Sequence, residues 1–198
     1  MLKAEGVYHS EYHFDVINVG RQVLGNLFAD YRDKFTDCYR KKDLEGTKVW
    51  GQRMDQLLLD VDRLLCCSPV FSMKAMNKVA DFAVNEQEQK YYEENARCIL
   101  TVWGQKDTQL NDYANRGWGG LTRTFYRERW KRFTEEVIAA MTRHKKFDEE
   151  KFHQDITQFE YEWTLKNEDF PITSEENPIS LAKELILKYD DDFRSLYP

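Results

Sequence analysis

Apolar residues recur along most of this chain at intervals of three and four, the spacing that places them on one face of an α-helix. Ile17, Gly20, Leu24, Leu27, Tyr31, Phe35 and Cys38 predict a long amphipathic helix from about Phe14 to Lys41. Trp50, Met54, Leu57, Val61 and Leu64 repeat the pattern and predict a second helix over Leu44 to Leu65. The Lys42–Asp43 connection is short enough to make these two helices antiparallel neighbours. Ser68–Pro69 then interrupts the chain, because proline disfavours helix in the residue before it.

Beyond that break the pattern predicts a short helix around Met73–Val84 and another from Glu86 to Trp103, with Asn85 as its cap. A polar loop over Gly104–Gln109 follows. Helix resumes near Asn111 and runs to about Arg143, with Leu121, Phe125, Trp130, Phe133, Val137 and Met141 on one side. Gly119–Gly120 lies within that stretch and costs about 2 kcal/mol relative to alanine in a helix. Its presence implies a close approach by another backbone or a ligand. Asp148 caps a helix carrying Phe152, Ile156, Phe159 and Trp163, which ends before Phe170–Pro171. Asn177 with Pro178 opens a last helix bearing Leu181, Leu185 and Tyr189, followed by an acidic tail at Asp190–Asp192. The fold class is therefore all-α, a single bundle of about seven helices over residues 1–198, with residues 1–13 as a frayed or linker segment.

Composition narrows the functions this bundle can serve. Aromatic residues reach 14%, more than a helical core needs, which places some of them at an interface or a cleft. With a net charge of −6 and a pI near 5.4, neither nucleic acid nor a membrane is an expected partner. No stretch nears the roughly 20 apolar residues of a membrane span, and the N-terminus has no signal-peptide pattern. Cys38, Cys66, Cys67 and Cys98 match no zinc or thioredoxin-like spacing and are read as buried thiols.

Candidate chemistry is sparse. His9 and His13 stand one helical turn apart but have no acidic partner at metal-ligand spacing, so no metal and no cofactor is expected. There is no G-x-S-x-G, P-loop or H-E-x-x-H, and no carboxylate pair is singled out, so the residues by themselves support no reaction. Arg123, Arg127, Arg129, Lys131 and Arg132, interleaved with aromatics, form either a solvated face or a binding face for a polyanion. Trp103 and Tyr113 bracket the Gly104–Gln109 loop, and such an aromatic pair suits the apolar C–H faces of a sugar ring.

The segment Tyr91–Trp130 carries, in order, N-A-R, L-x-x-W-G, a loop, L-x-D-Y-A-N-x-x-W-x-G-L and Y-x-x-R-W. This order resembles the C-terminal domain of the α-N-acetylglucosaminidases, glycoside hydrolase family 89. Three further runs are similar to that domain: GQRMDQLLLDVDRLL from Gly51, VGRQVLGNLF from Val19, and NPISLAKELILKY from Asn177. The resemblance implies a larger, exported (periplasmic, secreted or lysosomal) parent with a catalytic (β/α)₈ barrel beside the helical domain. Such enzymes release terminal α-linked N-acetylglucosamine with retention, as in heparan sulfate breakdown, through two barrel glutamates about 5 Å apart. It also implies that this chain alone is inactive and supplies one wall of the sugar pocket. The matching positions are Trp103 and Tyr113 for that wall, with Arg97, Asn115 and Arg129 as structural residues near the cleft. Glu128 stands where the family often has proline, predicting a straighter helix, and Gly117 replaces a larger residue, predicting a looser turn. The other reading is a free-standing interaction module that binds a protein or an anionic glycan through Arg123–Arg132.

Overall fold

The computed structural model describes residues 9–73, 78–104, 116–166 and 174–197. Seven α-helices occur among them: α1 (Ser10–Arg40), α2 (Leu44–Leu65), α3 (Glu86–Leu100), α4 (Arg127–Thr142), α5 (Glu149–Thr164), α6 (Pro178–Lys188) and α7 (Asp190–Leu196). No strand occurs among the described residues beyond one isolated bridge between Ser72 and Gly119. The all-helical fold and its helix number match the periodicity.

The caps show why the helices start where they do. Asp43 accepts from the Gly46 amide at 2.9 Å, Asn85 from Glu88 at 2.9 Å, and Asp148 from Lys151 at 3.0 Å. Asn177 accepts from both Ile179 and Ser180, while Pro178 fills the first helical position, where no amide hydrogen is needed. Each cap satisfies a donor that the helix itself leaves open.

α1 and α2 form an antiparallel hairpin through the turn at Lys42, as the short connection predicts. Ile17, Leu24, Leu27, Tyr31 and Phe35 of α1 interlock with Met54, Leu57, Leu64 and Leu65 of α2, and Val137, Leu181, Leu185 and Tyr189 complete this first core. Each such side chain contributes roughly 1.5–3 kcal/mol by leaving water. A second core joins Leu100, Val102, Leu121, Phe125, Ile156, Phe159 and Trp163.

Two carboxylates, Asp60 in α2 and Asp192 in α7, tie these parts together. Asp60 accepts from the Tyr189 hydroxyl and the Lys188 ammonium, both at 2.5 Å, fixing the end of α6. Asp192 accepts from Tyr31 and Arg53, both at 2.8 Å, fixing the start of α7. Burial first, and then the neighbouring carboxylate, raise both tyrosine hydroxyls well above their usual pKa.

Four expectations need correction. α1 opens at Ser10, four residues before the periodicity predicts, and the acidic residues Asp190–Asp192 form the first turn of α7. Carboxylates in a first turn are favoured by the helix dipole, so they start a helix where composition suggests a tail. The described part of the stretch around Met73–Val84 is a single 3₁₀ turn, Ala80–Phe82, with residues 74–77 outside the described residues. The helix expected from Asn111 begins only after Gly120, through a wide π turn over Thr122–Tyr126. Its first five expected residues, 111–115, lie outside the described residues. Arg116–Gly120 is not helical because its backbone pairs elsewhere. The Gly119 amide donates to the Phe71 carbonyl at 2.6 Å, and the Met73 amide to the Gly119 carbonyl at 3.1 Å.

Candidate functional site

The region that carries the quoted motifs begins where α3 ends. The amides of Thr101 and Trp103 both donate to the Cys98 carbonyl, at 3.1 and 2.8 Å, closing the helix with a left-handed residue. That residue is Trp103, with φ of 58°, at a place where glycine is the usual occupant. A bulky side chain there costs of order 1 kcal/mol in backbone strain. Its indole is nevertheless 47% exposed, so burial does not account for it.

Within the second core the packing is dense and partly charged. Arg97, 3% exposed, lays its guanidinium over the Trp163 ring at 5.0 Å. The Trp163 indole N–H donates to the Thr124 hydroxyl at 3.1 Å, which ties α5 to the π turn. Arg129 pairs with the buried Glu160 at 2.8 Å and covers Phe125 at 5.5 Å, joining α4 to α5. Arg97 and Arg129 thus meet around one aromatic cluster. Tyr113 and Asn115 lie outside the described residues.

On the far side of the motif, Gly119 packs directly against the end of α2. A Cβ there would fall 2.6 Å from the Cys66 sulfur and 2.9 Å from the Cys66 backbone nitrogen, so no other residue fits. Gly120 adopts φ of 85°, which side chains disfavour. The close backbone that the glycine pair implies is therefore α2. Gly117 does not sit in open space either, since a Cβ would lie 3.4 Å from the Arg21 guanidinium. Glu128 lets α4 continue from the π turn without a break.

Asp62 closes this junction, and sequence reading passed over it. Its carboxylate, 1% exposed, accepts from the amides of Gly120 at 2.7 Å and Arg123 at 3.0 Å, and pairs with the Arg123 guanidinium at 3.0 Å. Burial pushes its pKa up, while Arg123 and the two amides pull it back. The signal was available: Asp62 stands four residues after Leu58 and three before Leu65, inside the apolar stripe of α2.

The basic run forms a set of internal pairs. Arg123 holds Asp62, Arg127 holds Asp55 at 2.8 Å, Arg129 holds Glu160, and Arg132 lies over Phe159 at 4.4 Å. Such engagement removes most of the cationic face that binding a polyanion requires. Burial raises the Cys66 and Cys67 thiols to about 12 and about 11, so neither is a ready nucleophile at neutral pH. Among the described residues no three His, Cys, Asp or Glu side chains converge to hold a metal ion, and no helix is long and apolar enough to cross a membrane.

The described residues define an all-helical domain of the kind found as one part of larger chains. Over residues 1–188 the chain matches the alpha-N-acetylglucosaminidase (NAGLU) C-terminal domain, and it belongs to that family. It is 28% identical to the alpha-N-acetylglucosaminidase of Homo sapiens over 180 residues, covering 90% of this chain and 24% of that protein. A family 89 glycoside hydrolase from Clostridium perfringens, solved with PUGNAc, superposes with a TM-score of 0.81 at 25% identity, covering 90% of this chain and 21% of that one. A Clostridium perfringens structure titled as a complex with its substrate GlcNAc-alpha-1,4-galactose gives a TM-score of 0.79 at 24% identity, covering 89% and 21%, and shares the fold. The chain spans less than a quarter of the length of these relatives.

Proposed function

We propose that this chain works as one domain, the C-terminal helical part of a retaining α-N-acetylglucosaminidase, and forms one wall of the sugar pocket. The parent polypeptide supplies a catalytic barrel whose two glutamates serve as nucleophile and acid/base. Trp103 and Tyr113 face the terminal N-acetylglucosamine, with Tyr113 offering its hydroxyl and Trp103 shaping the pocket edge. Arg97, Asn115 and Arg129 hold the cleft's supporting structure.

The observation that carries this reading is Trp103 itself. An indole kept half-exposed on a left-handed backbone, in the position of the L-x-x-W-G element, leaves an aromatic face that suits a sugar's apolar face. The family match over residues 1–188 supports the parent activity, and the substrate named for the Clostridium perfringens relative supports a glycan ending in α-linked N-acetylglucosamine. The interaction-module reading loses ground because the arginines it relies on already pair within the domain.

An assay with an aryl α-N-acetylglucosaminide tests the division of labour. The chain alone is expected to give no turnover above buffer, while the polypeptide that joins it to a family 89 barrel hydrolyses the substrate. Turnover by the chain alone would contradict the proposal.

A further inference from the structure

We propose that Asp62 is a positioning residue for the pocket wall: from inside α2 it holds the Gly120 and Arg123 amides and thereby fixes the Arg116–Gly120 segment that follows the D-Y-A-N motif. This inference rests on the pocket-wall reading above and adds a residue that no sugar needs to touch.

The geometry singles out this carboxylate. Arg116–Gly120 has no helix of its own to hold it, because the π turn begins only at Thr122. It is held instead by the Ser72–Gly119 bridge, by contact of Gly119 with Cys66, and by Asp62. The bridge joins it to the short stretch around Phe71, which belongs to no α-helix. Asp62 ties it by charged hydrogen bonds to α2, the more deeply buried helix of the hairpin. One carboxylate oxygen receives both amides, and the other lies against the Arg123 guanidinium. The amides are the open donors at the start of the π turn, where a negative charge is favoured. Trp118, two residues before Gly120, packs at the edge of the second core with the Arg116 guanidinium 5.5 Å from its ring. Its direction therefore depends on where Gly120 is pinned.

Asparagine at position 62 keeps the volume and one acceptor but turns an N–H donor toward the Arg123 guanidinium. The segment loses its charged anchor without emptying the core. Loss of positioning removes binding that substrate and transition state share, which raises KM and spares kcat. A residue that only stabilised the fold would behave otherwise. Its loss would lower the melting temperature and the active fraction, hence apparent kcat, and leave KM alone.

The test measures aryl α-N-acetylglucosaminide kinetics for the full-length polypeptide carrying this domain, with Asp62→Asn, Asp62→Glu, Arg123→Gln, Trp103→Ala and Tyr113→Phe in parallel. Asp62→Asn is expected to raise KM about tenfold with kcat within about twofold, and Arg123→Gln to raise KM about threefold. If Asp62→Asn fails to fold, Asp62→Glu decides, since it keeps the charge but moves the carboxylate by one methylene away from the Gly120 and Arg123 amides. An unchanged KM in Asp62→Asn, or in Asp62→Glu where the former does not fold, overturns the positioning role while elevated KM in Trp103→Ala and Tyr113→Phe leaves the pocket wall standing. Unchanged KM in all five variants overturns both.

Discussion

The two halves of this domain solve the same packing problem differently. The α1–α2 hairpin with α6 and α7 buries a continuous apolar stripe and closes it with carboxylates on tyrosine hydroxyls. The α3 to π-turn half packs around charged and aromatic contacts, and α3 buries only Arg97 and Leu100 over fifteen residues. Tyr91, Ile99 and Trp103 remain exposed along or just beyond it. A helix so lightly anchored draws its position from neighbours, and strain at its end is tolerated because the hairpin half supplies the stability. Under the proposed function, the contrast separates a scaffold from the half that faces the sugar.

That contrast can be broken most forcefully inside the hairpin. Leu57 is fully buried between the two long helices, so Leu57→Ala is expected to cost about 2–5 kcal/mol in urea unfolding of this chain. A cost below about 1 kcal/mol would mean that the hairpin core is not the stabilising half.

Alkaline pH offers a second lever on the same boundary. The Cys66 thiol is held up to about 12 by burial against an ordinary value of 9.0, so the folded state keeps a proton that the unfolded state releases. Stability from this group is fully present below pH 9.0 and falls as the pH rises from there toward about 12. Tyr31 and Tyr189, raised in the same direction by burial, add to that fall. Urea midpoints measured from pH 8 upward should decline, and alkylation of Cys66 at pH 8 should follow the unfolding equilibrium. Rapid alkylation of the folded chain would contradict the buried junction between α2 and Gly119.

A smaller effect is expected at the α6 cap. Asn177→Ala removes acceptors for two amides and should cost about 1 kcal/mol, read as a lowered urea midpoint with unchanged slope.

The helices of the hairpin were legible because hydrophobic spacing alone determines them. Asp43, Asn85, Asp148 and Asn177 were equally legible as caps, since their side chains act within their own turn. Arg116–Gly120 was not, because its conformation depends on Phe71 and Cys66, remote in sequence, and local periodicity carries no trace of them. Gly119–Gly120 hinted at a close approach but could not name the partner. Asp60 and Asp62 interrupt the apolar stripe of α2, and that interruption was the available sign of buried carboxylates. Trp103 was read from a motif, while its left-handed backbone emerged only with the turn at Cys98.

The most direct test of the account is the kinetics of Trp103→Ala in the full-length polypeptide, paired with its melting curve. The expected result is a fall of about tenfold in kcat/KM with a melting temperature within a few degrees of the parent, since the indole is half-exposed and alanine keeps the same left-handed backbone. Unchanged kcat/KM, or a loss of activity explained wholly by a lowered melting temperature, would return Trp103 to the role of a helix-end packing residue and remove the pocket wall from this domain.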